Sequence, residues 1–86
     1  MPYTPGDDTE DTGWMRISSS CLQAVRWKPT GRGKGTCYAR YEKTWDVYEY
    51  HAVPRSVFDD MMAAGSHGSF FVHAIRNGGY SFKGPT

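Results

Sequence analysis

Cysteine and histidine are scarce in this chain of 86 residues: Cys21 and Cys37 are the two cysteines, and His51, His67 and His73 the three histidines. A metal site needs three or four converging ligands. His67 and His73 are six residues apart, which places them about 240° apart around a helix, and neither cysteine belongs to a CxxC pair. No metal and no cofactor are expected. No apolar run approaches the roughly 20 residues of a helical membrane span, and the start Met1-Pro2-Tyr3-Thr4-Pro5 lacks the basic region and apolar segment of a secretory signal. A soluble, unexported protein with reduced thiols is expected. No serine lies in a nucleophile-elbow signature, and Gly31-Arg32-Gly33-Lys34-Gly35 has neither the spacing nor the Lys-Ser/Thr ending of a phosphate-binding Walker loop. These absences argue against an enzyme, as does the small cleft that so short a chain affords.

What the chain has is charge asymmetry and aromatic residues. Asp7, Asp8, Glu10 and Asp11 precede Gly13 with no base among them, whereas Arg16 onward holds all ten Lys and Arg against five acids, a net +5. Residues 1–15 therefore read as an acidic N-terminal arm and 16–86 as one basic domain. An arm of this composition is ordinarily solvated; Tyr3, Pro5 and Trp14 give it the alternative of a strap on a basic surface. Thirteen Trp, Tyr and Phe residues exceed what one small core can hold, so some rings must face outward or meet a partner.

Tyr48 and Tyr50 alternate with Glu49 and His51, the period of a half-buried strand, until Val53-Pro54 stops it. Val57, Phe58, Met61 and Met62 then form one apolar helical stripe, with Gly65 as its left-handed terminator. Ser66 is placed to cap a second helix whose stripe is Phe70, Phe71, Ala74 and Ile75, closed by Asn77-Gly78-Gly79. Upstream, Arg16–Lys28 reads as a first strand, with Leu22 out of phase with Val25 and Trp27, the mark of a bulge. Pro29–Gly35 reads as an open loop, Thr36–Glu42 as a second strand and Trp45–His51 as a third, while Tyr80-Ser81-Phe82 adds a short extended segment. The expected fold is α+β: a three-stranded antiparallel sheet with two short C-terminal helices packed on one face. With Trp27 near Thr36 and Cys37 opposite Arg26, Cys21 lies about 17 Å from Cys37 at strand rise, beyond the roughly 7 Å of a disulfide.

The Tyr-x-Tyr of Tyr48 and Tyr50, Val53-Pro54, Val57-Phe58, Ser66-x-Gly68-x-Phe70-Phe71 and Ile75-Arg76 resemble the KTSC domain. This small module occurs at the C-terminus of some lysyl-tRNA synthetases and alone in bacterial and phage proteins. Ser19, Ser20, Leu22, Val25 and Trp27 fit its first strand more loosely. The likeness spans residues 17–82 and departs twice: Thr44-Trp45 replaces a turn glycine before Tyr-x-Tyr, and Val72 replaces an asparagine after Phe-Phe. The resemblance implies this fold and no set activity.

Two classes of partner are compatible with these residues. Tyr3, Trp14, Tyr38, Trp45 and Tyr80 are candidate anchors for docking on a larger protein assembly; the phage occurrence of the resembled family makes a virion accessory, on a capsid surface, the concrete form of that expectation. Location is then the virion or the cytoplasm. Alternatively, Arg26, Lys28, Arg32, Lys34, Arg40 and Lys43, interleaved with Tyr38 and Trp45, form a basic and aromatic strip of the kind that holds RNA or single-stranded DNA. Neither small-molecule substrate nor membrane is expected as a partner.

Overall fold

The structure, a computed structural model, describes residues 10–85. Five strands form one antiparallel sheet in sequence order: β1 (Met15–Arg16), β2 (Leu22–Gly31), β3 (Lys34–Tyr41), β4 (Val47–Pro54) and β5 (Phe82–Lys83). Between β4 and β5 run α1 (Arg55–Ala63), α2 (His67–Phe70) and a π-helical segment, Phe71–Arg76, which continues α2 without a break. The α+β architecture with two short helices is as the sequence indicates, but the sheet has five strands rather than three. The additional strands are two residues long and carry no periodicity of their own. They form because the long central strands offer unpaired edges: Met15 pairs with Val25 on one side, and Phe82 with Tyr50 on the other.

The β2–β3 hairpin is tighter than its glycine content suggests. Instead of opening into a loop at Pro29, β2 runs on to Gly31 and turns through Arg32 and Gly33, both at positive φ (55° and 73°). Two left-handed residues make the turn whose twist matches that of paired strands, and Pro29, which has no N–H to give, lies beside a register shift. A tight turn moves the register by one, so Trp27 pairs with Cys37 and Arg26 with Tyr38. Both cysteines are free. The bulge expected near Leu22 is present: a register shift between Leu22 and Ala24 returns Leu22 to the face of Val25 and Trp27, and all three are fully buried.

Trp27 is central to the core. Its indole N–H donates to the Val53 carbonyl at 3.0 Å, so its one polar atom is satisfied. A Cβ at Gly35 would lie 2.6 Å from the indole, which is why a strand position here carries no side chain. Around Trp27 pack Leu22, Val25, Cys37, Val53, Phe58, Met61, Phe71 and Ile75. Each helix thus presents two fully buried residues, Phe58 and Met61 or Phe71 and Ile75, and its remaining stripe residues flank the core. Ser66 caps α2 by accepting from the Ser69 N–H at 3.3 Å. Gly65 is not left-handed; α1 ends with Ala64 in an extended conformation.

A buried charge locks this layer together. Arg55, 3% exposed, donates to Asp59 at 3.0 Å and to the Glu10 carbonyl at 3.1 Å, with its guanidinium 4.9 Å from the Trp27 ring. Among the described residues no helix is long and apolar enough to cross a membrane.

Candidate functional site

Strand alternation sends Arg26 and Lys28 of β2, Tyr38 and Arg40 of β3, and Val47 and Glu49 of β4 to the face opposite the helices. Among the described residues no helix covers that face. Residues 10–16 run along its β2 edge, held by a Thr12 N–H to Trp27 carbonyl bond of 3.0 Å, by the Trp27 N–H to Thr12 Oγ1 at 2.9 Å, and by Asp11. The Asp11 carboxylate takes both Nε and Nη2 of Arg26, and this two-point pairing holds its pKa down to about 2.

The arm thereby brings Trp14 onto the sheet. Its ring centre lies 6.3 Å from that of Tyr38, the Arg40 guanidinium is 5.0 Å from the Trp14 ring and 5.5 Å from Trp45, and Arg26 is 5.5 Å from Tyr38. Two cations and three rings form one row of contacts: Arg26, Tyr38, Trp14, Arg40, Trp45. Trp14 is 42% and Trp45 61% exposed.

Trp45 lies just before β4 rather than inside a strand, at φ 61°. A bulky residue in the left-handed region costs on the order of 1–3 kcal/mol. It belongs to the Thr44-Trp45 pair that replaces a turn glycine of the resembled family, and it carries a large exposed ring at a left-handed position. The Trp45 N–H to Tyr41 carbonyl bond at 2.9 Å helps to hold it there.

The other sequence-derived candidates are dispersed. Arg32 and Lys34 flank the hairpin tip, Lys43 is in the turn after β3, and Tyr80 is half-buried against the core on the helix side. Tyr3 lies outside the described residues. Of the six basic candidates, Arg26, Lys28 and Arg40 share the open face, and of the aromatic ones Trp14, Tyr38 and Trp45 meet there. Each histidine is separate: His51 contacts Glu49 at 3.1 Å, His67 contacts the Met62 carbonyl at 3.2 Å, and His73 is exposed.

A second feature escaped the sequence reading. On the helix side, between β4, β5, the turn after β3 and the end of the π-helical segment, is an open-sided groove of about 870 Å³. Tyr41, Tyr48, Tyr50 and Phe82 line it, with Lys43 and Arg76 among its polar residues. The Tyr41 and Tyr50 hydroxyls are 3.0 Å apart, and burial together with that bond drives the Tyr50 pKa upward. The π-helical turn, closed by an Asn77 N–H to Val72 carbonyl bond of 3.0 Å, sets Arg76 beside the groove; such turns are frequent at functional sites. The aromatic count hinted that rings would be left over, but their pairing across strands is tertiary.

Comparison with solved structures finds a KTSC domain protein from Yersinia pestis whose crystal structure matches with a TM-score of 0.70 and 23% identity, over 86% of this chain and 96% of that one. At that identity the likeness is one of fold. No curated protein matches the chain. The KTSC domain family model matches residues 18–80, which include the bulged β2, the Tyr-x-Tyr of β4 and the Phe-Phe of the second helix. On that match, over more than half its length, the chain belongs to the KTSC domain family.

Proposed function

We propose that this chain is a non-enzymatic binding module that docks on a larger protein assembly, such as a virion surface, through its open sheet face. The observation that carries this reading is the pair of exposed indoles, Trp14 and Trp45, on either side of Arg40. Trp, Tyr and Arg are the residues that most often dominate binding energy at protein interfaces. The strained backbone at Trp45 is a standing cost, offset within the free subunit by the Arg40 contact and the Tyr41 hydrogen bond while most of the ring stays in solvent.

Charge favours protein over nucleic acid. Arg16, Arg26, Lys28 and Arg40 face outward with Asp11 and Glu49 among them, and Arg26 is already taken by Asp11. A phosphate backbone would then find three cations without a carboxylate partner among the described residues, Arg16, Lys28 and Arg40, too few for the steep salt dependence of a committed nucleic-acid binder. The second reading, single-stranded nucleic acid stacked on Tyr38 and Trp14 with phosphates at Arg40 and Lys28, draws support from the same row of rings and cations.

A photo-crosslinking amino acid at position 38, introduced in the native host, tests the reading. A discrete protein adduct is expected, and Trp14→Ala with Trp45→Ala should weaken that contact by about 30-fold or more while leaving the circular dichroism spectrum unchanged. Adducts that shift on nuclease treatment would transfer the case to nucleic acid. Absence of either adduct would remove the outer face as a docking surface.

A further inference from the structure

We infer that the groove on the helix side is a binding site for a small aromatic carboxylate, independent of the outer face. Its volume, about 870 Å³, lies within the range of small-molecule sites. One wall is aromatic: Tyr48 and Phe82 lie 6.4 Å apart between ring centres, and Tyr50 and Phe82 5.8 Å apart with planes 31° from parallel. Phe82 is 59% exposed, so a flat ring laid against it would bury apolar surface that the free protein leaves in water.

The polar residues set the sign of the ligand. Neither Lys43 nor Arg76 has an ion-pair partner among the described residues, and Asp46 is the single carboxylate lining the groove. The net +1 of these three groups matches a monoanion. Arg76 lines the groove together with Tyr41 and Tyr50. In the Tyr41–Tyr50 pair one hydroxyl donates to the other, so the accepting hydroxyl keeps a hydrogen that no described residue takes. A guanidinium and a free O–H lining the same groove suit the two oxygens of a carboxylate.

The test is a titration of 15N-labelled protein with 2-naphthoate, followed by amide chemical shifts, with naphthalene-2-carboxamide and adenosine monophosphate as comparison probes. The carboxylate is expected to saturate with shifts centred on Tyr48, Tyr50, Arg76 and Phe82, and Arg76→Gln should weaken it about tenfold, the value of one charged hydrogen bond. Arg76 is exposed, so this variant is expected to fold. The inference fails if no saturation occurs by about 5 mM, a range in which even a 4 kcal/mol interaction would register. It fails equally if the carboxamide binds as well as the acid, if the nucleotide binds more tightly, or if Arg76→Gln has no effect.

Discussion

Phe70 and Phe71 are adjacent in sequence and belong to the same helical stripe, yet the structure assigns them different weights. Phe71 is fully buried and meets Tyr50 edge-on at 5.4 Å and Tyr41 at 6.1 Å, whereas Phe70 is half-buried at the edge of the core. Truncating a fully buried phenylalanine costs about 3–5 kcal/mol, because the lost transfer energy is joined by a cavity that the neighbours fill poorly. An 86-residue domain holds on the order of 4–13 kcal/mol in total. Phe71→Ala is therefore expected to consume much of the margin, and Phe70→Ala to cost about 1–2 kcal/mol, in proportion to the smaller area it buries. Urea unfolding monitored by tryptophan fluorescence gives both values. Should Phe71→Ala prove too unstable to titrate, Phe71→Leu, at about 1–1.5 kcal/mol, keeps the comparison measurable. Equal losses for Phe70→Ala and Phe71→Ala, or a loss under about 1 kcal/mol at Phe71, would refute the packing. The same ring braces Tyr41 and Tyr50, so its removal should also disorder the groove they line.

Asp11 links the arm to acid stability. Its folded-state pKa, lowered to about 2 from 3.8, means that the Arg26 pairing stabilises fully above about pH 4 and is lost as pH falls through about 2. With both side chains about one-third exposed (31% and 34%), the gain is held to about 1 kcal/mol by solvent screening. The difference in urea midpoint between wild type and Asp11→Asn should shrink toward zero over that window, and a difference that stays constant down to pH 2 would sever the link. Cys37 is fully buried, and burial pushes its thiol up to about 12, so a thiol-reactive disulfide reagent at pH 8 should label native protein at Cys21 and reach Cys37 on unfolding. Prompt labelling of both thiols without denaturant would contradict the core.

The family motifs and the two helical stripes were legible in the chain because short-range periodicity and capping express them locally: Ser66 caps α2, and Leu22 lies out of phase with Val25 and Trp27 because a bulge intervenes. The charge divide at Gly13 was equally plain. Pairing across strands was not, since it depends on which distant edge a segment meets. Two residues suffice for β1 and for β5; the extended segment expected at residues 80–82 pointed toward β5, but not to its pairing with β4, and nothing local announced β1. The hairpin register turned on whether Arg32 accepts a left-handed backbone, and the position of Trp45 on a turn that a glycine would ordinarily make. Gly68 is another such case: a Cβ there would lie 2.5 Å from Ser19 Oγ, a close approach between the second helix and the start of β2 that no local pattern encodes. The chain by itself determined that there would be more aromatic rings than its core could bury. Tertiary folding decided where the surplus went, Trp14 and Trp45 to either side of Arg40 and Phe82 to the groove beside Arg76, because ring contacts between strands follow from register, which long-range pairing alone fixes.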